Sequence, residues 1–124
     1  MLARWLTEAS GVRLLDIDTV AWEPGAIAVP RDPLQAQQDV ELVCGTHPHR
    51  VVEGCYANPV SAALAFQPRL LFLNPGEEQC VRNCRARPWE PRKYASRAEQ
   101  DLRLPLLLAW VGEYCTRSGE MSLR

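Results

Sequence analysis

Asp16 and Asp18 stand two residues apart at the end of the apolar run Val12–Ile17, and Trp22, Pro24 and Gly25 follow them. An ionised carboxylate beside an apolar core is costly unless a cation, a hydrogen-bond donor or a substrate meets it there. Residues two apart on a strand share a face. Such a pair can hold a magnesium ion, or one carboxylate can bind metal while the other accepts a proton. The same residues also suit a turn, which a single aspartate would cap.

A second set of chemically capable residues is basic. Arg82, Arg85, Arg87, Arg92, Lys93 and Arg97 gather in "CVRNCRARPWEPRKYASR", within a chain of 14 basic and 15 acidic residues. Arg82 and Arg85 are three apart, so a helix sets them on one face, where guanidinium groups make bidentate contacts with phosphate oxygens. A loop carrying Trp89 and Tyr94 would close over reacting phosphates and exclude water. A solvated basic face is the alternative. Cys44, His47, His49 and Cys55 are ligand types for zinc, but their spacing fits no common zinc module.

These residues need elements to position them. Apolar residues at helical spacing from Leu2 to Ala9, with Gly11 as the stop, predict an opening helix. Its periodic face already includes Met1, with no capping residue before it. Val12–Ile17 predicts a strand buried on both faces, with Asp16 and Asp18 at its carboxyl end. Asp32 followed by Pro33 predicts an N-cap and first helical residue, opening a helix to about Cys44 that Gly45 ends. Arg50–Gly54 predicts a second strand, a helix starts at Asn58–Pro59, and Arg69–Leu73 predicts a third strand closed by Asn74–Gly76. Helices are expected over Glu77 to about Arg87 and Arg97 to about Arg117, the latter kinked or restarted at Pro105. Strands alternating with helices imply a parallel α/β sheet with right-handed crossovers, which binds ligands beyond the carboxyl ends of its strands. Asp16 and Asp18, Glu53–Tyr56 and Asn74–Gly76 would meet there.

A chain of 124 residues with 47% hydrophobic content and a formal charge of −1 suits one globular domain. Bulk charge gives no reason to expect nucleic acid, and no run approaches a membrane span or a signal peptide, so a cytoplasmic location is expected. Five cysteines, an odd number at uneven spacing, are expected to be reduced and mostly buried.

Four segments together, "ARWLTEASGVRLLDIDTVAWEPG" (Ala3–Gly25), "VVEGCYA" (Val51–Ala57), "LLFLNPG" (Leu70–Gly76) and "CRARPWEPRKYASRAEQD" (Cys84–Asp101), resemble a family of small P-loop kinase-like ATPases. These are related to adenylate kinase, to shikimate kinase and to proteins labelled as DNA topology modulation proteins. The resemblance implies a three-layer parallel sheet with helices on both faces, across residues 1–124 as a single P-loop kinase-like domain with an Arg-rich lid over 85–100. It implies ATP and Mg2+ as cofactors and a small-molecule or nucleotide phosphate acceptor as partner. Asp16 would help hold magnesium, and Asp18 would orient or deprotonate the acceptor. Trp22, Glu53, Gly54 and Tyr56 would line the acceptor site; Arg82, Arg85 and Arg87, with Arg92 and Lys93, would hold the transferring phosphates. Trp22 and Trp89 are equally suited to plain packing.

The family's G-x-x-x-x-G-K-[ST] loop, whose amides and lysine cradle ATP phosphates, is not in this sequence. The opening helix resembles the one that follows that loop, so the expectation is a domain shortened at its N-terminus and at its "GEMSLR" end. Such a domain would be inactive alone as an ATP-dependent phosphotransferase, with a non-catalytic binding or interaction module as the alternative. Self-association through exposed sheet edges would follow from a missing strand.

Overall fold

The computed structural model describes residues 2–119 and 122, so the expectations placed on Met1 and on most of the 120–124 end lie outside the described residues. The chain divides into two units, the first ending at Arg69 and the second beginning at Leu70.

In the first unit α1 (Leu2–Ser10) ends where Gly11, at φ 68°, donates its N–H to the Thr7 carbonyl at 2.7 Å. Glycine reaches that left-handed conformation without a Cβ clash, which is why the helix stops there. β1 (Arg13–Asp16) follows at once and pairs in parallel with β2 (Arg50–Glu53), Arg13 opposite Arg50 and Asp16 opposite Glu53. Between them come α2 (Asp18–Ala21), a short excursion in which Trp22 bridges Pro30, and α3 (Pro33–Thr46). Asp32 caps α3 as its position before proline predicts, its Oδ1 accepting the Leu34 and Gln35 N–H groups at 3.0 Å. The helix runs past Gly45 to Thr46. α4 (Ala57–Leu64) then packs with α3 over a core of Leu15, Ile17, Val20, Val40, Cys44, Ala62 and Ala63.

The second unit contains α5 (Glu77–Arg85) and α6 (Arg97–Gly112). Ser96 caps α6 by accepting the Glu99 N–H at 3.1 Å, and Glu99 reaches back to the Ala95 N–H at 2.8 Å. Both caps satisfy donors that a helix start leaves unpaired. α6 continues through Pro105 without a restart.

The expected three-layer parallel sheet of a P-loop nucleoside triphosphate hydrolase is not what this chain forms. Among the described residues there are two strands, and helices make up most of the ordered structure. The third expected strand, Arg69–Leu73, is irregular: the chain turns at Gln67, with φ 51°, and Pro68 follows. An apolar run becomes a strand only where a neighbouring edge accepts its hydrogen bonds, and no other strand pairs with this one. Asp18 is likewise not on a strand. β1 ends at Asp16 and the chain turns into α2, so the two aspartates do not share a strand face.

Gly54 sets the tightest approach in the first unit. At φ 149°, a Cβ there would lie 2.6 Å from the Cβ of Ile17, which is 1% exposed. Gly54→Ala combines overpacking with an unfavourable φ and is expected to destabilise by about 2–4 kcal/mol. Thermal unfolding followed by circular dichroism should show a midpoint at least about 8 °C lower; an unchanged midpoint would mean that this contact yields freely.

Candidate functional site

The carboxyl ends of β1 and β2 bring together most of the acceptor-site residues expected from sequence. The Ile17 N–H extends the ladder by one bond, to the Glu53 carbonyl at 2.9 Å. This places the start of α2 beside the chain leaving β2. Asp18 stands in the first turn of α2, and Tyr56 is the residue before α4. The Tyr56 hydroxyl donates to Asp18 Oδ1 at 2.7 Å and accepts from the Trp22 indole N–H at 3.2 Å. All three side chains are half-buried. The indole is a donor only, so its bond fixes the phenol oxygen as acceptor and leaves the phenol proton for the carboxylate.

Asp16 has a different task. Its Oδ1 accepts the Asp18 backbone N–H at 3.0 Å, and the Thr19 hydroxyl donates to its carbonyl at 2.6 Å. Asp16 therefore caps the turn between strand and helix, one of the two readings its sequence position allows. Glu53 lies beside it in register across the sheet, and Gly54 is backed against Ile17. Three carboxylates, Asp16, Asp18 and Glu53, thus stand at one end of the sheet. Among the described residues no three His, Cys, Asp or Glu side chains converge, and Asp16 Oδ1 is engaged by a backbone N–H.

The basic residues lie in the second unit, and acidic neighbours meet most of them. Arg82 pairs with Glu78 at 3.2 Å, Arg87 and Lys93 both pair with Glu90 at 3.3 and 3.0 Å, and Arg97 pairs with Asp101 at 2.9 Å. Arg85 and Arg92 are exposed and make no ion pair among the described residues. Trp89 donates its indole N–H to the Tyr94 carbonyl at 3.2 Å, which closes the Pro88–Ser96 loop on itself. Arg97 adds a bond to the Arg87 carbonyl at 3.3 Å.

Two residues of consequence were not singled out from sequence. Glu90 is the shared acceptor of the loop, and its own N–H is held at 2.8 Å by Gln100 Oε1. Gln100, 8% exposed, also donates to the Pro88 carbonyl at 3.0 Å and so pins the loop to α6. The glutamate within the charge run "RPWEPRK" is the signal that would have pointed to internal pairing. A cavity of about 290 Å3 also lies in this unit, lined in part by Cys80, Asn83, Cys84, Arg87, Trp110 and Tyr114. Of the five cysteines, expected to be mostly buried, only Cys44 and Cys84 are buried, whereas Cys55 is exposed and Cys80 and Cys115 are half-buried.

No family model, curated protein or solved structure matches this chain. Among the described residues no helix is long and apolar enough to cross a membrane.

Tyr56→Phe removes the hydroxyl that joins Asp18 to Trp22 and keeps the ring in place. It is expected to cost about 1–2 kcal/mol, the loss of one charge-assisted and one neutral hydrogen bond. Urea unfolding should show a lower midpoint with an unchanged slope; equal midpoints would mean that water replaces the hydroxyl without loss.

Proposed function

We infer that this chain is a non-catalytic binding module, and that the Asp18–Tyr56–Trp22 cluster receives a small, uncharged molecule bearing hydroxyl groups. The observation that carries this reading is the Tyr56 hydroxyl held between the Trp22 indole and the Asp18 carboxylate. A carboxylate is an acceptor with several lone-pair sites, so Asp18 can take a ligand hydroxyl beside the phenol. Trp22 supplies an apolar ring with a polar edge, a surface suited to a sugar or nucleoside face.

Charge narrows the ligand class. Asp16, Asp18 and Glu53 make this end of the sheet acidic, and phosphate placed among them would meet like charge. A nucleoside or neutral polyol is favoured over a nucleotide. The resemblance to kinases contributes only the acceptor-site residues to this proposal. Phosphoryl transfer asks for a cradle of backbone amides and a lysine at the ATP phosphates, and for guanidinium groups aimed at the moving charge. The first is not in the sequence, and Arg82, Arg87 and Lys93 already face carboxylates.

Calorimetric titration with adenosine, ribose and AMP tests the reading. Adenosine or ribose is expected to bind saturably, AMP at least tenfold more weakly, and Asp18→Asn should weaken the neutral ligand by about tenfold. Equal binding by the Asp18→Asn variant, tighter binding of AMP, or turnover of Mg-ATP by the wild-type chain would each overturn it.

A further inference from the structure

Leu70, Leu71, Phe72 and Leu73 are 69, 63, 72 and 67% exposed, four large apolar side chains in succession. Among the described residues none of their backbone N–H or carbonyl groups takes part in a hydrogen bond. An exposed apolar run of strand-forming composition with its backbone unpaired is suited to pairing as a strand with a partner edge. The matching half is β2. All four of its residues are only half-buried, and its backbone bonds among the described residues run to β1 and to Ile17 alone. Parallel strands are normally covered on both faces, so a half-exposed Val51 and Val52 mark a sheet that ends early.

We propose that Leu70–Leu73 of one chain adds as a strand to the free edge of β2 in a second copy, and that the exchange is reciprocal. Donor and acceptor are each four residues long and present on every chain, so a two-fold pair satisfies both at once and leaves no segment over to recruit a third copy. Charge selects the direction. Antiparallel addition sets Leu71 and Phe72 against Val52 and Val51 and brings Arg69 to the Glu53 end; parallel addition would bring Arg69 to the Arg50 end. Aromatic and branched cross-strand pairs are favourable, and like charges side by side are not.

A fully buried Leu or Phe side chain removes roughly 60–120 Å2 of apolar surface from water. Side chains on an added strand stand out from both faces of the sheet and are covered by about half, as those of β2 are, so eight of them with the surface they cover come to roughly 500–900 Å2, the size of a weak, concentration-dependent pair. The inference is independent of what Asp18 and Tyr56 bind.

Sedimentation velocity of the full chain over a range of concentrations is the test. A dimer is expected. Phe72→Asp should raise its dissociation constant at least about 100-fold, because a charge would enter the new sheet. Leu102→Asp, at a comparably exposed leucine on α6, should change it less than about twofold. Both side chains are exposed, so circular dichroism should show helix content unchanged in either variant. Amide exchange at Val51, Val52, Leu71 and Phe72 should slow together as concentration rises. A monomer at every concentration, a dimer indifferent to Phe72→Asp, or protection of Leu70–Leu73 in the monomer would overturn the proposal.

Discussion

Gly54 and Ile17 compete for the same few ångströms, and the rest of the first unit is arranged around the fact that only one of them has a side chain. Because glycine leaves the room, the chain emerging from β2 lies directly on the residue emerging from β1. That proximity is recorded in the Ile17 N–H to Glu53 carbonyl bond, which carries the ladder one step beyond the last paired residues. With Ile17 held, α2 begins at Asp18; with the strand exit held, Tyr56 stands beside it as the residue before α4. The hydrogen-bonded trio of Asp18, Tyr56 and Trp22 is therefore a product of backbone packing between two elements some 38 residues apart in sequence. Below it lies the apolar core, with Ile17 and Val40 fully enclosed.

The second unit is organised by polar groups. Gln100 fastens the Pro88–Glu90 backbone to α6 with two hydrogen bonds, and Glu90 in turn gathers Arg87 and Lys93. A glutamine in this position is suited to the task because its amide both donates and accepts, satisfying a carbonyl and an N–H that proline-rich sequence cannot pair in a helix or strand. Much of the apolar surface in this unit stays uncovered, Leu102 and Leu106 on α6 as well as Leu70–Leu73.

Local signals in the sequence translated well into local structure. The Asp32–Pro33 helix start, the Gly11 stop, the strands at Arg13–Asp16 and Arg50–Glu53 and the meeting of Asp18 and Tyr56 at their carboxyl ends follow from features a few residues long or from strand-end geometry. What could not be read was anything decided by a distant partner. Arg69–Leu73 has the composition of a strand, yet composition does not supply the edge on which to pair. The Asp-x-Asp spacing suggested a shared face, and the helical turn at Ile17 removed it. In the basic segment Arg82, Arg87, Lys93 and Arg97 meet carboxylates three and four residues away, a pairing that the interspersed glutamates and aspartate already allowed, whereas Arg85 and Arg92 make no ion pair among the described residues.

That internal pairing has an electrostatic consequence at long range. Between Glu77 and Asp101 six basic residues face five acidic ones, so the stretch is within one charge of neutral. Seen from a distance it is a row of small dipoles, whose potential falls off faster than that of a net charge. At roughly 0.1 M salt, where screening acts over about 10 Å, little of its field reaches an approaching molecule. A polyanion drifting past would feel almost no pull from the most arginine-rich part of the chain, and its encounter rate would vary only slightly with ionic strength.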